Sequence, residues 1–314
     1  MTMNSADMMN LSEESAAYSA QKLQPTSPLF QPQNTAQAFR RRAVNTIAVG
    51  VSGLFAVVGI VFLFYLIGYV FQQGSHFLTI PFFTQTPSAL GEAGGGVQPA
   101  IVGSVVLVGL AALFGIPLGV FTGIYLSEYG RGAMASVVRF MVDTLTGIPT
   151  IIFGLFIWVL VVVPSHSFSG LAGGMALSII MIPTVARATE EVLRLVPHEL
   201  REASIALGAT ESRTIWSVVL PSARNGIITG IVLAMARIAG ETAPLLLTAF
   251  GSSFAFTSIF RPVAALPLQI FVYTLSPYDT QIHQAYAGSL ILIALVILAS
   301  LAVRWATGGF RVRR

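Results

Sequence analysis

Six apolar stretches, each close to the length of a membrane crossing, follow one another along this chain and leave it few folds. They lie near residues 44–70, 99–126, 136–163, 171–187, 226–249 and 284–304. A helix needs about 20 apolar residues to cross about 30 Å of hydrocarbon. In lipid every backbone polar group must be satisfied within the protein, which leaves helices and closed barrels. Stretches of this length are helical ones. The fold class is therefore read as an all-α membrane protein with six transmembrane helices surrounded by membrane lipid. Gly147-Ile148-Pro149 interrupts the third stretch and predicts a break into an interfacial part and a core part. The fourth is short and is expected to extend at one of its ends.

Charge supports the same reading. Only 10% of the 314 residues are charged, against about 25% in a soluble domain. That excludes a soluble enzyme and a disordered protein, and with a net charge of +4 it leaves no nucleic-acid partner. With the amino terminus inside and the loops assigned alternately, every basic residue except Arg237 and Arg261 falls inside or at the inner boundary. The positive-inside rule then places both termini in the cytoplasm. Residues 1–39 are polar, lack the basic start and apolar core of a signal peptide, and are expected to form a disordered cytoplasmic tail. There is no cysteine, so disulfides and thiol chemistry are excluded. The lone lysine, Lys22, sits in Ala-Gln-Lys-Leu rather than in the Gly-Lys-Ser/Thr of a phosphate-gripping loop. Work driven by a nucleotide must come from another polypeptide.

The inner stretch 188–225 carries much of the remaining charge and reads as a helix-turn-helix projection. Pro197 suits the first turn of a helix, and Leu200, Ala203 and Leu207 share one face of it. Gly208 stands where a left-handed residue ends a helix. Thr210 is placed to cap a second helix, which is expected to stop at Leu220-Pro221. Glu202-Ala203-Ser204, three residues, Gly208, nine residues, Val218, one residue, Leu220-Pro221 resembles the EAA loop of ABC-importer permeases. Ser204 stands for Ala and Val218 for Ile. The resemblance implies the type I ABC-importer permease architecture, with this segment as the cytoplasmic coupling helix that enters a cleft of an ATPase. ATPase closure would then rock the bundle from inward-facing to outward-facing. Glu202 would cap a helix end or bridge to basic groups of the ATPase, and Gly208 would set the turn.

The fifth stretch carries Arg237 and Glu241 near its middle. Ionisable groups there face protein or water rather than lipid. Four residues apart on a helix, they lie about 40° apart around its axis and can pair. Gly226, Gly230 and Ala234 fall on the same stripe, a face for helix–helix contact or for a pathway. Either the pair locks the bundle, or Arg237 offers its planar fork to a passing oxyanion. Arg237-Ile-Ala-Gly-Glu241-Thr242-Ala-Pro-Leu-Leu246 resembles the corresponding run of PstA-type phosphate permeases. Gly147-Ile-Pro-Thr-Ile-Ile-Phe-Gly154-Leu-Phe156 is similar to a second run of that family, with Thr150 in place of Ser. This resemblance covers residues 44–310 and implies a permease of the bacterial inner membrane. Inorganic phosphate would arrive on an extracytoplasmic binding protein, Arg237, Glu241 and Thr242 would line the pathway, and the partners would be a second permease (PstC-type) and an ATPase dimer (PstB-type). Phosphonate, sulfate and molybdate stay open as substrates.

Other candidates are fewer. Arg139 and Asp143 form a second i,i+4 pair, read as an anchor for the third span or as an inner gate. Glu128 and Arg131 read as a solvated turn. The four histidines do not cluster, no metal spacing or cofactor motif is found, and no catalytic constellation is evident, so the chain is not read as an enzyme. A secondary anion transporter stays open on the Arg/Glu pair, but it leaves the inner loop unexplained.

Overall fold

The computed structural model describes residues 35–306, apart from 90, 91 and 93. Most of the expected tail at 1–39 lies outside the described residues; the chain is already helical at Thr35, where α1 (Thr35–Gly74) begins. The chain divides into two units after Tyr65. The first holds the apolar stem of α1, with Phe55, Phe62 and Phe64 exposed.

The second unit holds the remaining α-helices of four residues or more. They are α2 (Ile80–Thr84), α3 (Gln98–Ile124), α4 (Ala133–Gly147), α5 (Thr150–Ile157) and α6 (Gly170–Arg194). After these come α7 (His198–Ala206), α8 (Glu211–Thr214), α9 (Leu220–Ala239), α10 (Ala243–Thr248), α11 (Leu266–Thr274) and α12 (Asp279–Ala306). Among the described residues the only β-type pairing is an isolated bridge between Phe250 and Val263. Among the described residues five helical runs are long and apolar enough to cross a membrane, and Ala133–Gly147 with Thr150–Ser165, bent by 102° at their break, make a sixth when the pair is taken as one span. The bend sits at Ile148-Pro149. Ile148 is extended (φ −76, ψ 133), as a residue before proline prefers, and Pro149 cannot continue the hydrogen-bond ladder. The fourth span extends at its carboxyl end, to Arg194.

Small residues set the core. Along α3, Gly115, Gly119 and Gly123 recur every fourth position and admit α6 to close approach. A Cβ on Gly119 would lie 2.7 Å from Val185 Cβ, and one on Gly123 would lie 2.6 Å from Thr189 Cβ. Around this seam Leu107, Leu177, Met181, Ile238 and Leu245 are buried in one cluster that joins α3, α6, α9 and α10. At the other end from α7, Ala264, Ala265 and Leu266 are buried, and Leu266 N donates to Ser104 Oγ at 2.7 Å. The chain at 263–266 thus folds back onto α3.

Two expected boundaries differ. The helix begun at Thr210 does not stop at Leu220-Pro221; a π turn at Ile215–Val219 carries it into α9. The wider turn opens the carbonyl ladder where Pro221 lacks an N–H, so the chain passes through the proline instead of ending there. The fifth span, in turn, does not run to Ala249. It ends at Ala239, and Gly240–Thr242 separate it from α10.

Candidate functional site

The inner loop is built as its local chemistry dictates. Pro197 forms the entry to α7 (φ −56, ψ 142). Gly208 has φ +86, a left-handed conformation that a side chain would strain. Thr210 caps α8 by accepting from Arg213 N at 3.3 Å. Glu202 and Ala203 are exposed, whereas Ser204 shares a hydroxyl hydrogen bond with Thr214 at 2.8 Å. Leu220 is half-buried and Pro221 exposed in the first turn of α9.

The orientation of α7 inverts the usual amphipathic rule. Leu200 is 43% exposed, and Leu207, which follows the last residue of α7, is 90% exposed. Arg201 and Ser204 look inward instead, while Glu199 and Glu202 are exposed. Arg201 is held by both carboxylate oxygens of Glu128 and by the carbonyls of Leu193 and Val196. Glu128 is therefore not part of a solvated turn: its side chain is 7% exposed and bidentately paired. Beneath the loop Ile124, Leu193, Ile215 and Val219 form a buried cluster.

Beside this lies an ion-pair hub that the i,i+4 reading did not find. Arg139 and Asp143 do not pair with each other. Arg139 reaches Glu190 of α6 through Nε at 3.0 Å and Nη2 at 2.9 Å, and Asp143 pairs with Arg187 of α6. Arg194 joins Glu190 at 2.6 Å, and Arg187 approaches its other oxygen at 3.5 Å. Burial decides the pairing: Glu190 is 1% exposed, so desolvation drives it to gather cations. Its position on the inner face of an apolar helix was the signal in the sequence.

Arg237 lies in the last turn of α9, and Glu241 and Thr242 lie in the break before α10. Among the described residues no ion pair joins Arg237 to Glu241. The i,i+4 geometry needs a continuous helix, and α9 ends before Glu241. Gly240 is a poor helix former and Pro244 has no N–H to return to it, so the turn unwinds. Arg237 is exposed, and Glu241 and Thr242 are half-buried. The Gly226–Gly230–Ala234 stripe is a helix–helix face: Cβ atoms on the two glycines would lie 2.5 Å from Val192 and 2.6 Å from Ala188 of α6. A Cβ on Gly154 would lie 2.6 Å from Pro244 Cα, so the two motif-bearing stretches of α5 and α10 rest on each other beside the break.

A profile of the family described as "Binding-protein-dependent transport system inner membrane component" matches residues 115–312. The phosphate transport system permease protein PstA of Yersinia pestis is 40% identical over 88% of this chain and 94% of its own length. The PstA 1 protein of Mycobacterium tuberculosis (strain CDC 1551 / Oshkosh) is 38% identical over 89% and 92%. This chain belongs to the PstA-type permease family. Among solved structures, a bacterial ABC transporter that imports the acidic polysaccharide alginate matches with a TM-score of 0.57 at 14% identity, over 89% of this permease and all of that chain. The MetNI methionine ABC transporter, in an inward-facing form, gives 0.54 at 22% identity over 68% and 94%. These likenesses establish the type I importer fold. The permease is a non-catalytic membrane subunit.

Proposed function

We propose that this permease imports inorganic phosphate, driven by a separate ATPase dimer that grips α7 and paired with a second, homologous permease. The observation that carries the reading is the outward apolar face of α7. Leu200 and Leu207 are left in water while Arg201 and Ser204 bind inward. Exposed apolar residues in such an arrangement ask for a partner surface. The relatives supply the anion, since they are named for phosphate transport. Phosphate would arrive on an extracytoplasmic binding protein.

Each part has a role. Glu202, Ala203, Ser204 and Gly208 form the docking projection, and Leu220 and Pro221 pass its motion through the π turn into α9. Arg237, Glu241 and Thr242 stand where a helix is unwound within the bundle, the one place where irregular backbone is tolerated at membrane depth. There Arg237 offers positive charge to the anion while Glu241 limits its hold. Arg139 and Asp143, through Glu190 and Arg187, hold α4 to α6 and act as the inner gate. The basic residues around the loop support a cytoplasmic position for that end and for both termini.

Gly208→Asp tests the docking role. A non-glycine residue in this conformation costs about 1 kcal/mol, small against the stability of a membrane bundle. The variant should insert normally yet lose ATPase on co-purification from mild detergent. A variant that keeps the ATPase and transports normally would refute the docking role.

A further inference from the structure

Arg201 immediately precedes the docking residues but points away from them. Its side chain is 17% exposed and makes four hydrogen bonds. Nη2 donates to Glu128 Oε1 at 2.9 Å and Nε to Glu128 Oε2 at 3.3 Å. Nη1 donates to Val196 O at 2.6 Å, and Nη2 also donates to Leu193 O at 3.1 Å. The two carbonyls belong to the last turn of α6 and its exit, where a helix leaves acceptors unpaired. Glu128 lies on the π turn Tyr125–Tyr129 that ends α3, and Ser127 Oγ donates to the same carboxylate at 2.9 Å. One guanidinium thus ties α7 to the ends of both α3 and α6, the two helices whose glycine seam forms the centre of the bundle. The chain itself joins α7 only to α6 and α8.

We propose that Arg201, with Glu128 as its partner, is a positioning residue that makes α7 and the inner end of α3 move as one body, so that force applied at the docking face reaches the central seam. Arg suits this task because its rigid fork offers five donors at fixed angles, and lysine cannot reproduce them. The inference rests on the reading of α7 as an ATPase-docking helix. It adds a transmission step that neither the docking residues nor the pathway residues supply.

Two readouts test it in the full complex with the second permease and the ATPase. In proteoliposomes supplied with binding protein and inorganic phosphate, Arg201→Ala and Glu128→Ala should each raise the ATP hydrolysed per phosphate imported by about five-fold, with the ATPase still bound. The double variant should be no worse than the worse single, as residues sharing one hydrogen-bonded network show. If Arg201→Ala fails to assemble, Arg201→Lys carries the same test with a smaller rise. An unchanged ratio, or additive effects, would overturn the proposal.

The second readout needs no substrate. The chain has no cysteine, so spin labels at Tyr129→Cys and Ala206→Cys report one distance between α3 and α7. That distance should hold between the nucleotide-free and ATP-trapped complexes and should change by several ångström once Arg201 is Ala. A distance that already changes in the otherwise native chain, or that stays fixed without Arg201, overturns the clamp. A native complex that imports no phosphate but passes the distance test would contradict the phosphate reading and leave the clamp standing.

Discussion

At the scale of residues, burial rather than sequence spacing decides which charges meet. Arg139 and Asp143 are one helical turn apart, yet both turn to α6, because Glu190 is the buried carboxylate and Arg187 stands beside it. Removing that carboxylate should be costly. Glu190→Gln leaves Arg139 and Arg194 without a carboxylate partner and should lower stability by about 2–4 kcal/mol, below the figure for a fully buried pair because Arg139 is 30% exposed. Thermal unfolding in detergent reads this directly, and an unchanged midpoint would show the hub to be energetically neutral. The glycine seam gives a matched pair. Gly123→Ala forces a Cβ against Thr189 and should cost about 1–3 kcal/mol. Gly109→Ala meets nothing within 4 Å and should stay within about 0.5 kcal/mol of the native protein. Arg237→Gln should abolish phosphate uptake while assembly survives; persistent uptake would make Arg237 a structural residue.

Among the elements, the spans were legible in the sequence because apolar length is a direct consequence of bilayer thickness. The break at Ile148-Pro149 was legible for a similar reason, since proline chemistry is local. Gly208 and Thr210 could also be read, because a left-handed turn and a cap depend on one residue each. The end of the second loop helix could not. Leu220-Pro221 looks like a stop, but the π turn before it absorbs the missing donor. Nor could the spacing of Arg237 and Glu241 reveal that Gly240 and Pro244 unwind the helix between them. The face of α7 is the remaining case: periodicity grouped Leu200, Ala203 and Leu207, but only the inward grip on Arg201 shows that this apolar face is outermost. Leu207→Glu should therefore weaken ATPase co-purification by about ten-fold, equivalent to about 1.4 kcal/mol, with no change in the unfolding midpoint. A lowered midpoint with the ATPase retained would mean that Leu207 packs within the permease.

For the whole molecule, the scarcity of charge takes on meaning once the charges are placed. Most of those described gather at the end that carries α7, where the ion pairs of Glu128, Asp143 and Glu190 hold α3, α4, α6 and α7 together, while Arg237 and Glu241 stand at the unwound turn after α9. In the proposed reading that division separates a motor-facing end from a pathway, as an importer driven from outside its own chain requires. The decisive measurement is uptake of radiolabelled phosphate by proteoliposomes holding this permease, its homologous partner, the ATPase dimer and the binding protein. The account predicts uptake that requires ATP, disappears with the ATPase omitted, and is competed by unlabelled phosphate but not by sulfate or molybdate. Uptake that persists without the ATPase, or that sulfate or molybdate blocks as well as phosphate does, would contradict it.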